Sequence, residues 1–260
     1  MLAVEGVTIS FGGLVALADV SFQARPGEIV AIIGPNGAGK TTLFNIISGL
    51  YAPSSGRVKL AGEDVTRMPP HILARRGLSR TFQNLQTFFR MSAVENVMVG
   101  RHLHEKRNVI AHLFTLPSVL AQNRATRAKA EELLAFVGLD GVTDRQAGGL
   151  PYGALRRLEI ARALATEPKV LLLDEPAAGC NPVETAEIDD VIQKIAASGV
   201  TVVLVEHDMK LVMKISHRIH VLDYGRTIAE GTAAEVRTNE RVIAAYLGKH
   251  GQREGAHAHG

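Results

Sequence analysis

The sequence predicts an α/β fold in which a mostly parallel core sheet is covered by helices on both faces. Three short runs carry this prediction, residues 29–33, 170–173 and 200–205, because each is almost wholly apolar and rich in β-branched side chains. Such runs, which lack polar alternation, are typical of strands buried on both faces. A chain of 260 residues with 46% hydrophobic and 21% charged residues is long and apolar enough for one large domain, and this composition excludes a disordered chain.

Two other regions have different patterns. Apolar and polar residues roughly alternate over residues 2–22, which predicts short antiparallel strands. A long stretch from about residue 84 to 165 is rich in helix signals and predicts a helical subdomain inserted into the sheet's connectivity. Within it, residues 127–137 are predicted to form a helix that stops before Gly138, and residues 102–126 are predicted to form a loop.

These patterns divide the chain into parts. Residues 1–248 are expected to form a single domain, with its sheet core and antiparallel strands built from 1–83 and 166–248 and its helical subdomain from 84–165. Residues 249–260, a polar tail with three histidines, are expected to be disordered.

Local signals outside the helical stretch predict two capped helices and one hairpin. Asn181 precedes a proline and stands three residues before Glu184, which is the spacing of a capping box, and Thr232 stands three residues before Glu235. Asp223-Tyr224-Gly225 lies between two apolar runs and predicts a hairpin turn.

Composition limits the possible partners. The chain has 29 Lys and Arg against 26 Asp and Glu, a net charge of +3, and its basic residues are dispersed. With 5% aromatic residues and no Trp it offers little surface on which bases could stack, so nucleic acid is not an expected partner. A single cysteine, Cys180, excludes an internal disulfide. We recognise no signal peptide in the sequence. No apolar run approaches the length of roughly 20 residues that a membrane helix requires.

A phosphate-binding motif follows the first buried run. The residues that match G-x-x-x-x-G-K-[ST] are Gly34, Pro35, Asn36, Gly37, Ala38, Gly39, Lys40 and Thr41. Glycines allow the backbone to turn its N–H groups toward phosphate oxygens, and the Lys40 ammonium suits the β and γ phosphates. The Thr41 hydroxyl suits Mg²⁺, and the helix predicted from Thr42 adds the positive end of its dipole. The motif predicts nucleotide binding.

Acidic and histidine side chains follow the other two buried runs. Asp174 and Glu175 come at the end of the second run, and His207 comes just after the third. Since parallel strands end at one edge of the sheet, all three are expected near the phosphate loop. Asp174 is placed to hold Mg²⁺, and Glu175 is the better candidate for polarising the attacking water. His207 could bond the γ-phosphate or that water.

The order of these motifs resembles that of ABC-type ATPases. Between the phosphate loop and Asp174 lie Gln83, in Arg80–Asn84, and the segment Leu150–Ala154, which begins a helix rich in arginine. The likeness extends over residues 2–248 and implies a P-loop ABC nucleotide-binding domain with a RecA-like core. Within the superfamily the chain looks most like the ATP-binding subunits of branched-chain amino-acid importers. That narrower likeness is carried by residues 80–84, 94–100, 177–182 and 245–248.

The resemblance implies roles for individual residues. Phe11 would stack on adenine, and Thr41, Gln83 and Asp174 would serve Mg²⁺. The triphosphate of ATP would be held by the loop residues Gly34, Pro35, Asn36, Gly37, Ala38, Gly39, Lys40, Thr41 and Thr42. Glu175 would act as general base, with His207 as sensor of the γ-phosphate and Lys40 as its counter-charge.

The resemblance also implies that one chain cannot complete the reaction. In this family each ATP lies between the phosphate loop of one chain and the signature segment of another. Here that segment supplies Pro151, Tyr152, Gly153 and Ala154, where the usual signature is Leu-Ser-Gly-Gly-Gln. Proline removes a hydroxyl and an N–H donor, so slower or asymmetric hydrolysis is expected. The dimer would also use Ala178, Gly179 and Asn181.

The partners follow from the same likeness. They are a second ABC ATPase subunit, a paralogue in preference to a second copy, two transmembrane permease subunits and, indirectly, a periplasmic binding protein. The chain is then expected at the cytoplasmic face of the inner membrane, held there by the permeases. Two alternatives remain open from the sequence, which are a regulatory module that binds nucleotide with weak or no hydrolysis and a soluble ABC ATPase without a transport role.

Overall fold

The computed structural model describes residues 2–104 and 117–246, which form two sheets and the helices around them. The strands are β1 (Leu2–Phe11), β2 (Leu14–Ala24), β3 (Ile29–Ile33), β4 (Ser55–Leu60), β5 (Glu63–Asp64), β6 (Leu78–Arg80), β7 (Val170–Asp174), β8 (Thr201–Val205), β9 (Arg218–Asp223) and β10 (Arg226–Gly231). The helices are α1 (Lys40–Ile47), α2 (Pro70–Arg75), α3 (Ala93–Gly100), α4 (Pro117–Phe136), α5 (Tyr152–Leu164), α6 (Pro182–Ala197), α7 (Met209–Ile215) and α8 (Ala233–Arg237).

The larger sheet has six strands in the order β10-β9-β3-β8-β7-β6. Its neighbours are parallel except for β10, which pairs antiparallel with β9. Every residue of β3, β7 and β8 is buried, as their apolar runs predict. The predicted mostly parallel core sheet is therefore confirmed, and the third run begins as a strand one residue later than predicted, at Thr201.

Alternate residues of β3 face two different apolar clusters. Ile29, Ala31 and Ile33 pack in a cluster that includes side chains of helices α3 to α7. Val30 and Ile32 pack with α1 and with the second sheet. Because both faces of the strand are covered, a continuous apolar sequence is required there.

The second sheet is antiparallel and has the order β2-β1-β4-β5. Its first two strands are the ones that alternation over residues 2–22 predicts, and their pairing is shifted at three places. The pattern did not predict β4 and β5 or, in the larger sheet, the three-residue strand β6. Periodicity is not measurable in β5 and β6, which have two and three residues, so these two strands depend on pairing with longer neighbours.

Helices α3, α4 and α5 pack together within the stretch expected to be helical. Helix α4 begins at Pro117 and ends at Phe136, so the predicted loop is wrong for its last ten residues, 117–126. Proline is well suited to the first turn of a helix, and Val119 and Thr126 are buried on the inner face of α4. Residues 105–116 and the tail, 249–260, lie outside the described residues, and the division into subdomains stays a prediction.

The predicted caps and hairpin are present. Asn181 accepts hydrogen bonds from the N–H groups of Val183 and Glu184, and both it and Thr232 form complete capping boxes. Between β9 and β10, Tyr224 and Gly225 have φ angles of 43° and 76°, the positive values that a tight hairpin turn requires. Among the described residues no helix has both the length and the apolar character needed to cross a membrane.

Candidate functional site

The phosphate loop joins the end of β3 to the start of α1, as its motif predicts. Gly34 and Gly39 have φ angles of 151° and 101°. A Cβ atom at Gly34 would lie 2.1 Å from the carbonyl oxygen of Leu222, and one at Gly39 would lie 2.6 Å from a methyl carbon of Leu17. Glycine is therefore required at both positions for steric reasons as well as for backbone conformation.

Lys40 is the first residue of α1, and its side chain folds back over the loop. Its Nζ donates hydrogen bonds to the carbonyl oxygens of Gly34, at 2.6 Å, and Pro35, at 3.1 Å. The residue is buried. An ammonium group is thus held at the concave side of the loop, where its charge would meet a bound phosphate.

A cavity of about 460 Å³ opens in front of this loop. It gathers the loop, the tip of the β1–β2 hairpin and side chains from the carboxyl edge of the sheet. Its lining consists of Leu14, Val15, Ala16, Asn36, Gly37, Ala38, Gly39, Lys40, Thr41, Thr42, Gln83, Glu175, His207 and Tyr224. The structure therefore brings Gln83, Glu175 and His207 to the phosphate loop, although Gln83 and Glu175 are 92 residues apart in the chain.

Glu175 lies at the centre of a hydrogen-bonded group of three side chains. His207 Nε2 is 2.8 Å from its Oε1, and Gln83 Nε2 donates to its Oε2 at 3.1 Å. Glu175 adopts a φ of 51°, uncommon for a residue other than glycine, and its N–H donates to Val205 at the end of β8. The strained turn directs the carboxylate into the cavity instead of continuing the strand.

Glu206 supports this group from behind and was not recognised from the sequence. Its carboxylate accepts hydrogen bonds from the N–H groups of Ala177 and His207, both at 2.9 Å. Burial raises the pKa of the Glu206 carboxyl, against the opposing effect of those N–H groups. Glu206 thereby joins the turn after Glu175 to the turn that carries His207.

Asp174 is paired with an arginine that the sequence did not single out. Arg80 Nη2 lies 2.8 Å from Asp174 Oδ2, and both side chains are 7% exposed. Arg80 Nη1 also donates to Asn45 and Ser48 of the α1 region, at 2.8 and 2.9 Å. Its guanidinium carbon also lies 5.6 Å from the centre of the Phe44 ring and 5.3 Å from that of Phe82. Asp174 is thus held beside the cavity without lining it.

The predicted adenine contact, Phe11, also does not line the cavity. Phe11 is at the end of β1, is 46% exposed and meets the ring of Tyr51 edge-on, with centroids 5.4 Å apart. From the same hairpin, Leu14 and Val15 do line the cavity, as does Tyr224 of the β9–β10 turn. Adenine stacking on Phe11 stays a prediction.

The signature segment begins helix α5. Pro151 is the N-cap residue, and the N–H of Gly153 donates to Glu184 Oε1 at 3.0 Å. A Cβ at Gly153 would lie 2.5 Å from the Glu184 side chain, so the surviving glycine of this segment is sterically required. Ala154 is buried, whereas Tyr152 is 39% exposed.

The neighbouring turn holds the three residues expected at the dimer contact. The N–H of Ala178 donates to the carbonyl of Glu175, Gly179 has a φ of 80°, and Asn181 caps α6. This turn therefore connects Glu175 directly to the surface on which Tyr152 lies.

The donors in and beside the cavity suit a triphosphate and a hard cation. Thr41 offers a hydroxyl and Gln83 an amide at the cavity wall, and the buried Asp174 carboxylate belongs to the residue just before Glu175, which also lines the cavity. Mg²⁺ prefers such oxygen ligands and normally keeps several waters or phosphate oxygens. The residues present thus fit a magnesium ion that is shared with a nucleotide.

Comparison with protein families gives two matches. The family model described as "ABC transporter" matches residues 17–178. The model described as "Branched-chain amino acid ATP-binding cassette transporter" matches residues 226–251. The first range contains the phosphate loop, Gln83, the signature segment and Glu175.

Several curated proteins are similar along nearly their whole length. The chain is 46% identical over 250 residues to the high-affinity branched-chain amino acid transport ATP-binding protein BraF of Pseudomonas aeruginosa, covering 96% of this chain and 98% of that protein. It is 44% identical to the corresponding protein LivG of Escherichia coli K12, with the same coverage. The lipopolysaccharide export system ATP-binding protein LptB of Haemophilus influenzae is 33% identical over 249 residues, or 96% of this chain and 98% of that protein.

Solved structures show the same fold. An ATP-binding cassette of an ABC transporter in its ADP conformation superposes with a TM-score of 0.82 at 32% identity, over 95% of this chain and 98% of that one. A dimeric ATP-binding cassette in a post-hydrolysis state, bound to ADP and Pi, gives a TM-score of 0.74 at 26% identity, over 90% and 99%.

Proposed function

The chain belongs to the ABC transporter ATP-binding family, and we propose that it hydrolyses ATP to power the import of branched-chain amino acids. Its role as an ATPase subunit of an ABC importer follows from the family match and from the full-length similarity to BraF and LivG. The solute class is supported by the names of those relatives and by the family model at residues 226–251.

We assign nucleotide binding to the loop and the hairpin around the cavity. Backbone N–H groups of residues 34 and 36–42 and the Lys40 ammonium would neutralise the phosphates, at the amino end of α1. The position of Lys40 over the Gly34 and Pro35 carbonyls supports this role, because a phosphate oxygen is a stronger acceptor for the same ammonium. Phe11 would provide the aromatic contact to adenine.

Glu175 is the proposed general base. The observation that carries this assignment is its carboxylate, held between His207 and Gln83 at the mouth of the phosphate loop. A carboxylate so placed can accept a proton from water that attacks the γ-phosphate. His207 keeps one ring nitrogen on Glu175 and would contact the γ-phosphate as nucleotide binds.

Magnesium would be held by Thr41, Gln83 and Asp174. When bound with ATP it neutralises charge on the β and γ phosphates. Thr41 would bind it through the hydroxyl and Gln83 through the amide oxygen. The ion pair with Arg80 fixes the position of the Asp174 carboxylate, from which Asp174 would help to hold the magnesium ion.

The working unit is proposed to be a pair of ATPase chains bound to permeases. Pro151, Tyr152, Gly153 and Ala154 would contact ATP of the second chain, and the turn with Ala178, Gly179 and Asn181 would complete that interface. The dimeric cassette found among similar structures supports a pair. A paralogue is the preferred second chain. Two permeases would hold the pair at the cytoplasmic face of the inner membrane, supplied by a periplasmic binding protein.

The replacement Glu175→Gln tests the assignment of the base. Removing a general base costs about 10²–10⁴-fold in rate, so the variant should bind Mg-ATP with unchanged affinity and hydrolyse it at least about 100-fold more slowly. Binding is measured by equilibrium dialysis and hydrolysis by phosphate release. Glu240→Gln is the matched control, because Glu240 is an exposed glutamate that does not line the cavity. This variant should have the affinity for Mg-ATP and the hydrolysis rate of the wild type. Wild-type turnover by the Glu175→Gln variant would remove Glu175 from this role.

A further inference from the structure

The unusual tyrosine of the signature segment makes contacts inside its own chain. The Tyr152 hydroxyl accepts a hydrogen bond from Arg156 Nη2 at 2.8 Å, and the guanidinium lies 5.2 Å from the centre of the tyrosine ring. On its other side the ring meets the turn after Glu175. A Cβ at Gly179 would be only 3.2 Å from Tyr152 Cε1. A glycine at position 152 could make neither contact.

Arg156 continues this connection to the Gln83 segment. The same Nη2 donates to the main-chain oxygen of Gln83 at 3.0 Å. Arg156 is 4% exposed, so its guanidinium is held inside the protein, with Glu159 Oε2 3.6 Å from its Nη1. A buried guanidinium keeps its geometry because leaving its acceptors would be costly.

Two more residues of the same helix face hold the same segment. Burial raises the pKa of the Glu159 carboxyl, and the nearby N–H groups of Phe82 and Gln86 act in the opposite direction. Arg162 donates to the carbonyl of Gln86. Arg156, Glu159 and Arg162 are spaced by three residues and therefore lie on one side of α5. We call these three residues the α5 cluster.

The Gln83 side chain completes a path of hydrogen bonds from the signature segment to the proposed base. The path runs from the Tyr152 hydroxyl to Arg156, from Arg156 to the Gln83 main chain, and from Gln83 Nε2 to Glu175 Oε2 at 3.1 Å. The last two steps join elements that are distant in sequence, and the α5 cluster ties the intervening backbone to the helix. Movement of α5 would therefore displace Gln83 relative to Glu175.

We propose that Tyr152 and Arg156 are positioning residues for ATP hydrolysis, which hold the Gln83 segment on α5 so that its amide stays on Glu175. This inference rests on the proposed function of Glu175 and goes beyond it. The tyrosine would couple the signature segment to the Gln83 segment of its own chain, in addition to any contact with a second chain. Both segments would then move together when ATP draws two chains against each other.

Hydrogen exchange of the full-length chain, followed by mass spectrometry, tests the connection without relying on activity. Arg156→Met should raise the exchange rate of amides at residues 82–86 about tenfold or more, and Tyr152→Phe, which removes only a hydroxyl, about threefold. Arg157→Met is the matched control. Arg157 also bonds main-chain oxygens, those of Val137 and Gly138, but not the Gln83 segment. It should leave exchange at residues 82–86 unchanged.

Kinetics separate a positioning role from a purely structural one. Tyr152→Phe should lower kcat about threefold. Arg156→Lys should lower kcat and leave KM for ATP unchanged, because the buried Arg156 contacts the Gln83 segment and not the phosphate loop. Arg156→Lys keeps the charge and should recover part of the rate lost in Arg156→Met. Tyr152→Phe also keeps the test open if Arg156→Met does not fold. Equal exchange at residues 82–86 in the Arg156→Met and Arg157→Met variants, or wild-type kcat in the Tyr152→Phe variant, overturns the proposal.

The wild-type chain distinguishes this inference from the proposed function. Mg-ATP should slow exchange at residues 34–42 if the loop binds nucleotide. Failure of that protection overturns nucleotide binding at the loop and leaves the exchange comparison of Tyr152 and Arg156 variants unaffected. If Mg-ATP protects residues 34–42 but the Tyr152 and Arg156 variants show no faster exchange at residues 82–86 than the control, only the positioning role is overturned.

Discussion

The two edges of the parallel sheet hold similar side chains but differ in what surrounds them. At the carboxyl edge, Asp174 pairs with Arg80, and Glu175 bonds His207 and Gln83. At the amino edge, Glu28 is bound by Arg218 through Nε and Nη2, at 2.7–3.0 Å. Each edge also has a cavity, of about 460 Å³ at the carboxyl edge and about 360 Å³ at the amino edge.

The cavity at the amino edge contains more charged residues than the one beside the phosphate loop. Its lining includes Glu63, Arg75, Arg76, His104, Glu167 and Lys169. Three of these charged residues already take part in ion pairs within the protein. Arg76 pairs with Glu63, and Glu167 pairs with Arg101, a residue that does not line the cavity. In the described part of this lining no glycine-rich loop leads into a helix. A phosphate site therefore depends on backbone geometry at a helix start, and a high number of charged residues does not by itself make one.

The largest expected effect belongs to the carboxyl edge. Arg80→Met would leave the buried Asp174 carboxylate without its cation, and breaking a buried pair from one side costs about 3–5 kcal/mol. Urea unfolding should show this loss in the free energy of unfolding. A loss below about 1 kcal/mol would mean that the pair behaves like a surface ion pair and would remove the contrast between the edges.

A smaller effect is expected for the matching arginine at the amino edge. Arg218 is 25% and Glu28 14% exposed in their side chains, so Arg218→Met should cost about 1–2 kcal/mol, between the values for surface and buried pairs. Because the pair lies far from the phosphate loop, kcat and KM for ATP should not change. An ATPase defect in a folded Arg218→Met variant would show that the amino edge also serves the reaction.

The smallest effect is expected for Glu167→Gln. Glu167 is half exposed and pairs with Arg101, so its loss should cost less than about 1 kcal/mol at pH 7. The hydrogen bond from Arg101 lowers the pKa of the Glu167 carboxyl from its ordinary value of 4.5. Its contribution to stability is therefore complete above that value and is lost as the pH falls through the lowered pKa.

Urea unfolding across the acid range checks this sign. The wild type and the Glu167→Gln variant should differ at pH 7 and converge at low pH. A difference that grows as the pH falls would contradict the assignment of the stabilised form to the ionised carboxylate.

Much of the fold was predictable because its signals are local. The apolar runs of β3, β7 and β8 reflect burial on both faces, and the capping boxes at Asn181 and Thr232 lie within four residues. Helix α4 was predicted ten residues too short because its first turns carry a weak apolar pattern, and β6 was missed because three residues show no period. Pairing with β7 is what makes β6 a strand.

The candidate site was predicted in part for the same reason. The phosphate loop and Glu175 follow buried strands directly, and His207 follows one a residue later. Glu175, His207 and residues 36–42 line one cavity. Arg80 and Glu206 were missed, because an arginine at the end of a short strand and a glutamate before a histidine have no distinctive spacing. Their functions depend on what they meet.

The amino-acid sequence by itself determined the buried strands β3, β7 and β8, the helix caps and the chemical groups that follow them, since glycine, proline and β-branched residues act on their immediate neighbours in the chain. Only the tertiary structure decided which groups meet. Arg80 reaches Asp174 across 94 residues, Gln83 reaches Glu175 across 92, and Arg156 reaches Gln83 across 73. Such contacts arise because the order of strands in the sheet brings distant parts of the chain together. Burial then excludes water from the charged groups, which strengthens their hydrogen bonds and fixes their geometry.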